Sequence, residues 1–145
     1  MDLVTYRGVV HLHHLDHMGH MNVQHYVGMF DHATWVLLSM VGLDSAWLRE
    51  QNRGMAALEQ HIEYKRELHA GDVIEIRSGI VELGAKTLRF THEMRHLTGG
   101  WIAARTTLVA VYFDTVARKG VPLPDAVREK AKSLMMPEFP AAGTS

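Results

Sequence analysis

The sequence has no cysteine, which excludes disulfide cross-links, thiolate nucleophiles and sulfur-based zinc sites. It has little net charge, formally −1 at pH 7, and no basic run of the kind that forms a nucleic-acid footprint. It also lacks any apolar stretch near the roughly 20 residues needed to cross a bilayer. Its first residues, Met1 to Arg7, show no basic segment followed by an apolar one, as a secretory leader would. Internal repeats, linkers and low-complexity segments are missing too. These absences lead to the expectation of a cytoplasmic protein with neither a nucleic-acid nor a membrane partner.

What is present fits one globular domain over residues 1–145, with a core from about residue 4 to 134 and a short C-terminal tail. Apolar residues make up 47% of the chain and charged residues 21%, the balance of a soluble fold with a real interior. Histidine is the anomaly: there are 11, and most of them crowd between His11 and His32.

The hydrophobic pattern changes period along the chain. Leu3 to His14 reads as a strand with a bulge near Gly8, which would set His11 and His13 on one face. A loop carrying Asp16 and Gly19 follows, and Asn22 stands where its side chain can cap a helix. From Val23 to Val41 apolar residues recur at three- and four-residue spacing, predicting a helix of about 19 residues and roughly 28 Å. Gly42 ends it. Asp44 to Arg53 reads as irregular. Leu58, Gln60, Ile62, Tyr64, Arg66 and Leu68 then alternate with Glu59, His61, Glu63, Lys65 and Glu67, the period of a strand with one wet face. Further strands are predicted over about 73–83, 86–97 and 101–113, with turns at Ala70-Gly71-Asp72, Gly84 and Thr98-Gly99-Gly100. Pro122 and Pro124 stop strand pairing, and Asp125 can cap a short helix through Leu134. One strand, one long helix and four consecutive strands make an α+β protein. The helix can bury its stripe only against the concave face of a curved antiparallel sheet.

The spacing Asp16-x-x-Gly19-His20-x-Asn22-x-x-x-Tyr26, set between a strand and a long helix, resembles the 4-hydroxybenzoyl-CoA thioesterase branch of the hotdog-fold family. The run Ile62-Glu63-Tyr64-Lys65-Arg66-Glu67-Leu68-x-x-Gly71-Asp72 is similar to that family's second strand, and Val121-Pro122-Leu123-Pro124 to its usual ending. The resemblance implies a five-stranded curved antiparallel sheet wrapped around one helix. It also implies homodimers or tetramers with active sites at the subunit interface, and a substrate that is an acyl thioester of coenzyme A or acyl carrier protein. It implies no metal and no cofactor beyond the coenzyme A of the substrate.

Asp16 matches the family's catalytic aspartate, which would act as nucleophile or as general base on water. Oxyanion donors would come from the helix N-terminus near Val23, with Gly19 allowing close backbone approach. Asp16 also reads as a loop carboxylate bonding its own backbone. His20 matches as a residue that positions water or the thioester, and equally as a structural hydrogen-bonding group. Related plant acyl-ACP thioesterases carry Asp-x-Asn-x-His, and Met18 stands here in place of their Asn. Asn22 matches the substrate-binding pattern but reads first as an N-cap. Glu67 corresponds to a glutamate the plant enzymes use, yet shares its face with Glu59, Glu63 and Lys65. Tyr26, a family match for substrate contact, is grouped with Phe30 and Trp35 as core or dimer-interface residues. Trp35 or Trp47 could also face a cationic acyl group. A His-x-His strand pair with Asp16 as third ligand would suit zinc, but no second cluster at a known spacing supports it.

The reading is therefore hydrolysis of a small or medium acyl-CoA. Its rivals are a hotdog enoyl-thioester hydratase or dehydratase, whose Asn-Pro-x-x-His run is absent, and a non-catalytic acyl-CoA-binding hotdog protein.

Overall fold

The computed structural model describes residues 2–139. Strand β1 (Leu3–Val9) leads through a single 3-10 turn (Leu12–His14) to helix α1 (Val23–Met40). A short helix α2 (Ser45–Glu50) precedes strands β2 (Arg53–Tyr64), β3 (Val73–Leu83), β4 (Thr87–His96) and β5 (Ile102–Asp114). A two-residue strand β6 (Lys119–Gly120) and helix α3 (Asp125–Lys132) complete the fold. The sheet is antiparallel in the order β1-β3-β4-β5-β2, with β6 paired to the end of β5.

The expected antiparallel sheet, the expected long helix and the expected short C-terminal helix are present, but the counts differ: the sheet has six strands, and the short helix α2 is added. Alpha-helix 2 falls in the stretch read as irregular. It has six residues and one fully buried side chain, Leu48, too little periodicity to register in a sequence. Strand β1 stops at Val9, because Val10 and the histidines beyond it leave the sheet; His11, His13 and His14 therefore sit around the 3-10 turn and not along a strand face. The bulge lies between Val4 and Tyr6, not at Gly8. Strand β2 begins at Arg53 and ends at Tyr64, earlier at both ends than the alternation implied. A bulge at Leu58 shifts its register, and a one-residue shift turns a side chain to the opposite face. Leu58 is accordingly 63% exposed instead of core-facing.

Alternation holds on β3 and β4. Ile74, Ile76 and Ile80, with Leu88, Phe90 and Met94, face inward and are buried. They enclose the α1 stripe in two clusters. Tyr26, Met29, Phe30 and Ala33 pack with Ile74, Ile76 and Met94; Leu37 and Leu38 pack with Ile80, Leu88, Phe90 and Leu108. The outward positions carry ion pairs: Arg77 and Arg7 on Glu75, and Arg105 on Glu93 at 2.8 Å. Glu93 and Arg105 are both buried, where removal of one partner would strand the other's charge.

One inward position on each of β1, β3, β4 and α1 is polar, and together they form a chain. Thr5 Oγ1 lies 2.7 Å from Ser78 Oγ, Ser78 bonds His92 Nδ1, and His92 Nε2 lies 2.9 Å from Thr34 Oγ1. Thr34 in turn donates to the Phe30 carbonyl. Both ring nitrogens of His92 are thus satisfied, and burial drives the imidazole down to about 3, so it is neutral at physiological pH. The folded state then binds fewer protons than the unfolded chain between the ordinary imidazole range and pH 3. Stability contributed here is full above pH 6.5 and lost as pH falls, by about 1.4 kcal/mol per pH unit. Urea unfolding of wild type and His92→Gln across pH 4–7 should show a flatter pH dependence in the variant.

Candidate functional site

The segment from Leu15 to Met21 is a compact loop closed by a bridge between those two residues. The Asp16 N–H donates to the His20 carbonyl and the Gly19 N–H to the Asp16 carbonyl. Gly19 has φ +84° with open space where a side chain would stand. That left-handed backbone is one glycine adopts without strain. The Met21 N–H donates to the Leu68 carbonyl, which ties the loop to the chain beyond β2.

Asn22 sits at the centre of the arrangement. Its Oδ1 accepts from the Gln24 N–H at 3.1 Å, capping α1, and its Nδ2 donates to Asp16 Oδ2 at 3.2 Å. Asp16 Oδ1 accepts from the Met18 N–H at 2.8 Å. Asp16 is therefore a self-bonded loop carboxylate, and also one whose second oxygen is directed at the start of a helix. The Met18 N–H first and the Asn22 amide second hold its carboxyl below the usual carboxylate range, so it is ionised at neutral pH. The Val23 N–H opens α1 with no acceptor among the described residues, and the Val23 side chain is 55% exposed.

His20 and Glu67, proposed separately from sequence, meet: Nε2 lies 3.5 Å from Oε1, an ion pair whenever the imidazole is protonated. Glu67 is not on a strand face with Glu59 and Glu63, since β2 has ended and Lys65 and Arg66 both donate to the Ala103 carbonyl. Tyr26 is 5% exposed, set edge-on to Tyr64, with burial pushing its phenol up to about 12. Its place is the core, where it offers a ligand little surface. The histidines around the 3-10 turn crowd one another: His11 stacks on His13, and the His13 and His14 rings are tilted with centres 4.1 Å apart. No group of three or more His, Asp or Glu side chains among the described residues is arranged to hold a metal ion. No helix among them is long and apolar enough to cross a membrane.

Sequence reasoning missed a cleft of about 440 Å³ between α1 and the sheet, bordered by Gln24, Asp31, Thr34 and Trp35 on the helix and by Met55 and Gln60 on β2. Gln24 connects it to the loop, because the Asn22 side chain that caps Gln24 also holds Asp16. Trp35, grouped from its spacing with core or dimer-interface residues and also read as able to face a cationic acyl group, is 38% exposed and lines this cleft.

A family model described as the thioesterase-like superfamily matches residues 10–131, and the chain belongs to that family. Among curated proteins it resembles a betainyl-CoA thioesterase of Pseudomonas aeruginosa, with 24% identity over 132 residues, 91% of this chain and 83% of that protein. It also resembles an L-carnitine dehydrogenase/betainyl-CoA thioesterase of Rhizobium meliloti, with 25% identity over 120 residues; the match takes 83% of this chain but only 24% of that longer relative. Among solved structures, a hypothetical protein of Staphylococcus aureus in complex with CoA superposes with a TM-score of 0.88 at 17% identity, covering 98% of this chain and 92% of that one. A 1,4-dihydroxy-2-naphthoyl-CoA thioesterase of Synechocystis gives 0.82 at 19% identity, with coverages of 92% and 98%. The curved antiparallel sheet is thus that of the hotdog-fold thioesterases.

The loop geometry has a direct check. Asn22→Ala removes the α1 cap and one of the two donors on Asp16. It should cost about 1 kcal/mol in denaturant unfolding, and the Asp16 carboxyl should titrate at higher pH when followed by NMR.

Proposed function

We propose that the protein hydrolyses acyl-CoA thioesters, with Asp16 as nucleophile or as general base on water and the first N–H groups of α1 receiving the oxyanion. The observation that carries this reading is the junction at Asn22. One side chain starts the helix and holds an ionised carboxylate beside the helix's unpaired Val23 N–H. A thioester carbonyl seated there would have a carboxylate near its carbon, to attack it or to activate water against it, and a backbone donor with a favourable dipole on oxygen. The names of the curated relatives support coenzyme A as the carrier, in preference to acyl carrier protein. Those names also bring betainyl, a small acyl group, forward as a candidate.

His20 is proposed to steady water or the leaving thiolate, its own orientation biased by Glu67. Gly19 and Asn22 hold the loop in shape, and Val23 supplies the donor. The hydrolysis needs only water and these groups, with coenzyme A entering as part of the substrate. We propose a homo-oligomer in which β2, the edge strand of the sheet, pairs with a second copy. Twelve residues of β2 lie at that edge, and Leu58 and Tyr64 are exposed on it, the kind of open edge that natural proteins seldom leave uncovered.

Asp16→Asn should lower kcat for thiol release by at least about 100-fold with an unchanged melting temperature. Near-normal turnover in that variant would overturn the assignment. A single turnover in H2-18O reports on the chemical role: label in Asp16 requires an acyl-Asp16 anhydride opened by water at the Asp16 carbonyl, whereas a general base delivers the label to the released acid alone.

A further inference from the structure

We infer that the acyl chain runs along α1 over Gly28, and that the missing side chain there fits the site to an uncharged acyl group of medium length, about six carbons. The inference rests on the thioesterase reading above and adds to it the length and polarity of the group bound, with Gly28 as the residue that sets them.

Gly28 stands in the interior of α1, where glycine is the poorest helix former after proline. Each other glycine among the described residues has a local reason: a positive φ, or a neighbouring atom 3.3 Å or less from where a Cβ would stand. Gly28 has neither. Nothing lies within 4 Å of the position its Cβ would take. An alanine would fit there and would strengthen the helix, so the fold itself does not ask for glycine. What the glycine leaves is open space at the edge of the cleft, which Gln24, Val27, Gly28 and Asp31 border along one face of α1.

That space is within reach of the reacting carbonyl. Gly28 lies one and a half turns beyond Val23, about 7.5 Å along the helix axis, and a saturated chain of about six carbons spans that distance. The path starts at the junction already described, since the Asn22 side chain that holds Asp16 also caps α1 at Gln24. Val27 presents an exposed isopropyl group beside it, and Met55, Ala57 and Leu108 add apolar surface from the sheet. Polar groups bound the space on two sides. A longer chain would reach Asp31, which lines the same cleft, and would strip water from its carboxylate. Gly28 also borders a smaller cavity lined by His14, His25 and His32, whose imidazoles an uncharged chain would desolvate too. Both boundaries favour an apolar group that ends near Gly28.

The test is a straight-chain series, acetyl-, butyryl-, hexanoyl- and decanoyl-CoA, followed by thiol release. Wild type should have its highest kcat/KM with hexanoyl-CoA. Gly28→Leu should lower the hexanoyl-to-acetyl ratio of kcat/KM by about tenfold or more. Gly28→Ala should lower it less, while raising the melting temperature by about 3 °C. A ratio unchanged in Gly28→Leu, or a wild type that prefers acetyl-CoA or decanoyl-CoA, would overturn the inference and leave the hydrolase intact. So would a lowered ratio accompanied by a changed oligomeric state in light scattering, which would give the space over Gly28 to a second copy. Calorimetric titration of wild type and Gly28→Leu in the Asp16→Asn background, with acetyl-CoA and hexanoyl-CoA, reads the preference without turnover. If no thioester is hydrolysed but hexanoyl-CoA binds more tightly and loses that advantage in Gly28→Leu, the hydrolase reading fails and the role of Gly28 stands. Equal binding of the two counts against the role of Gly28 alone.

Discussion

Alpha-helix 1 has one place to bury its apolar stripe, the inner face of the sheet, and the rest of the molecule follows from that seating. Tyr26, Met29, Phe30 and Ala33 anchor its first half and Leu37 and Leu38 its second, so both core clusters run through the helix. Apolar packing alone tolerates sliding, because it is not directional. The hydrogen-bonded chain from Thr5 through Ser78 and His92 to Thr34 is directional, and it crosses from the sheet to the helix at one register. A buried polar chain with its members satisfied favours one arrangement over its neighbours, since a slipped helix would leave several of them unpaired.

With the helix seated, its N-terminus is placed, and with it the loop that Asn22 holds. The bonds that shape this loop are short-range: Asp16 to Met18, Gly19 to Asp16, Asn22 to Asp16. Its placement on the fold is not. The Met21 N–H reaches the Leu68 carbonyl and His20 reaches Glu67, both in the connection that follows β2. The two faces of the sheet divide the work accordingly. The inner face carries the core and the cleft, while the outer face carries charge neutralised in place by Arg7, Arg77, Arg95 and Arg105 on Glu75 and Glu93.

Much of this was legible in advance where the determinants are local. The stripe from Val23 onward specified α1 to within a residue, and Asn22 caps it as its position implied. Gly42 ends the helix with a positive φ. Inward and outward residues of β3 and β4 could be assigned from alternation alone. The failures share a cause. The bulge at Leu58 depends on how β2 registers against β5, and nothing inside β2 announces it. Glu67 looked like one more residue on a wet strand face because the end of β2 is decided by Ala103 on the neighbouring strand β5, whose carbonyl takes two successive N–H groups, from Lys65 and Arg66.

The sequence by itself determined that a carboxylate would stand just before a capped helix in a family of thioesterases. That information lies in contiguous residues and in local backbone preference. Tertiary structure alone decided which groups from distant segments share a space: His20 with Glu67, His92 with Thr34 and Ser78, and Asp31 and Trp35 opposite β2 in a common cleft. Those meetings are set by strand register and by the seating of one helix. Both are long-range quantities that no single stretch of the chain contains.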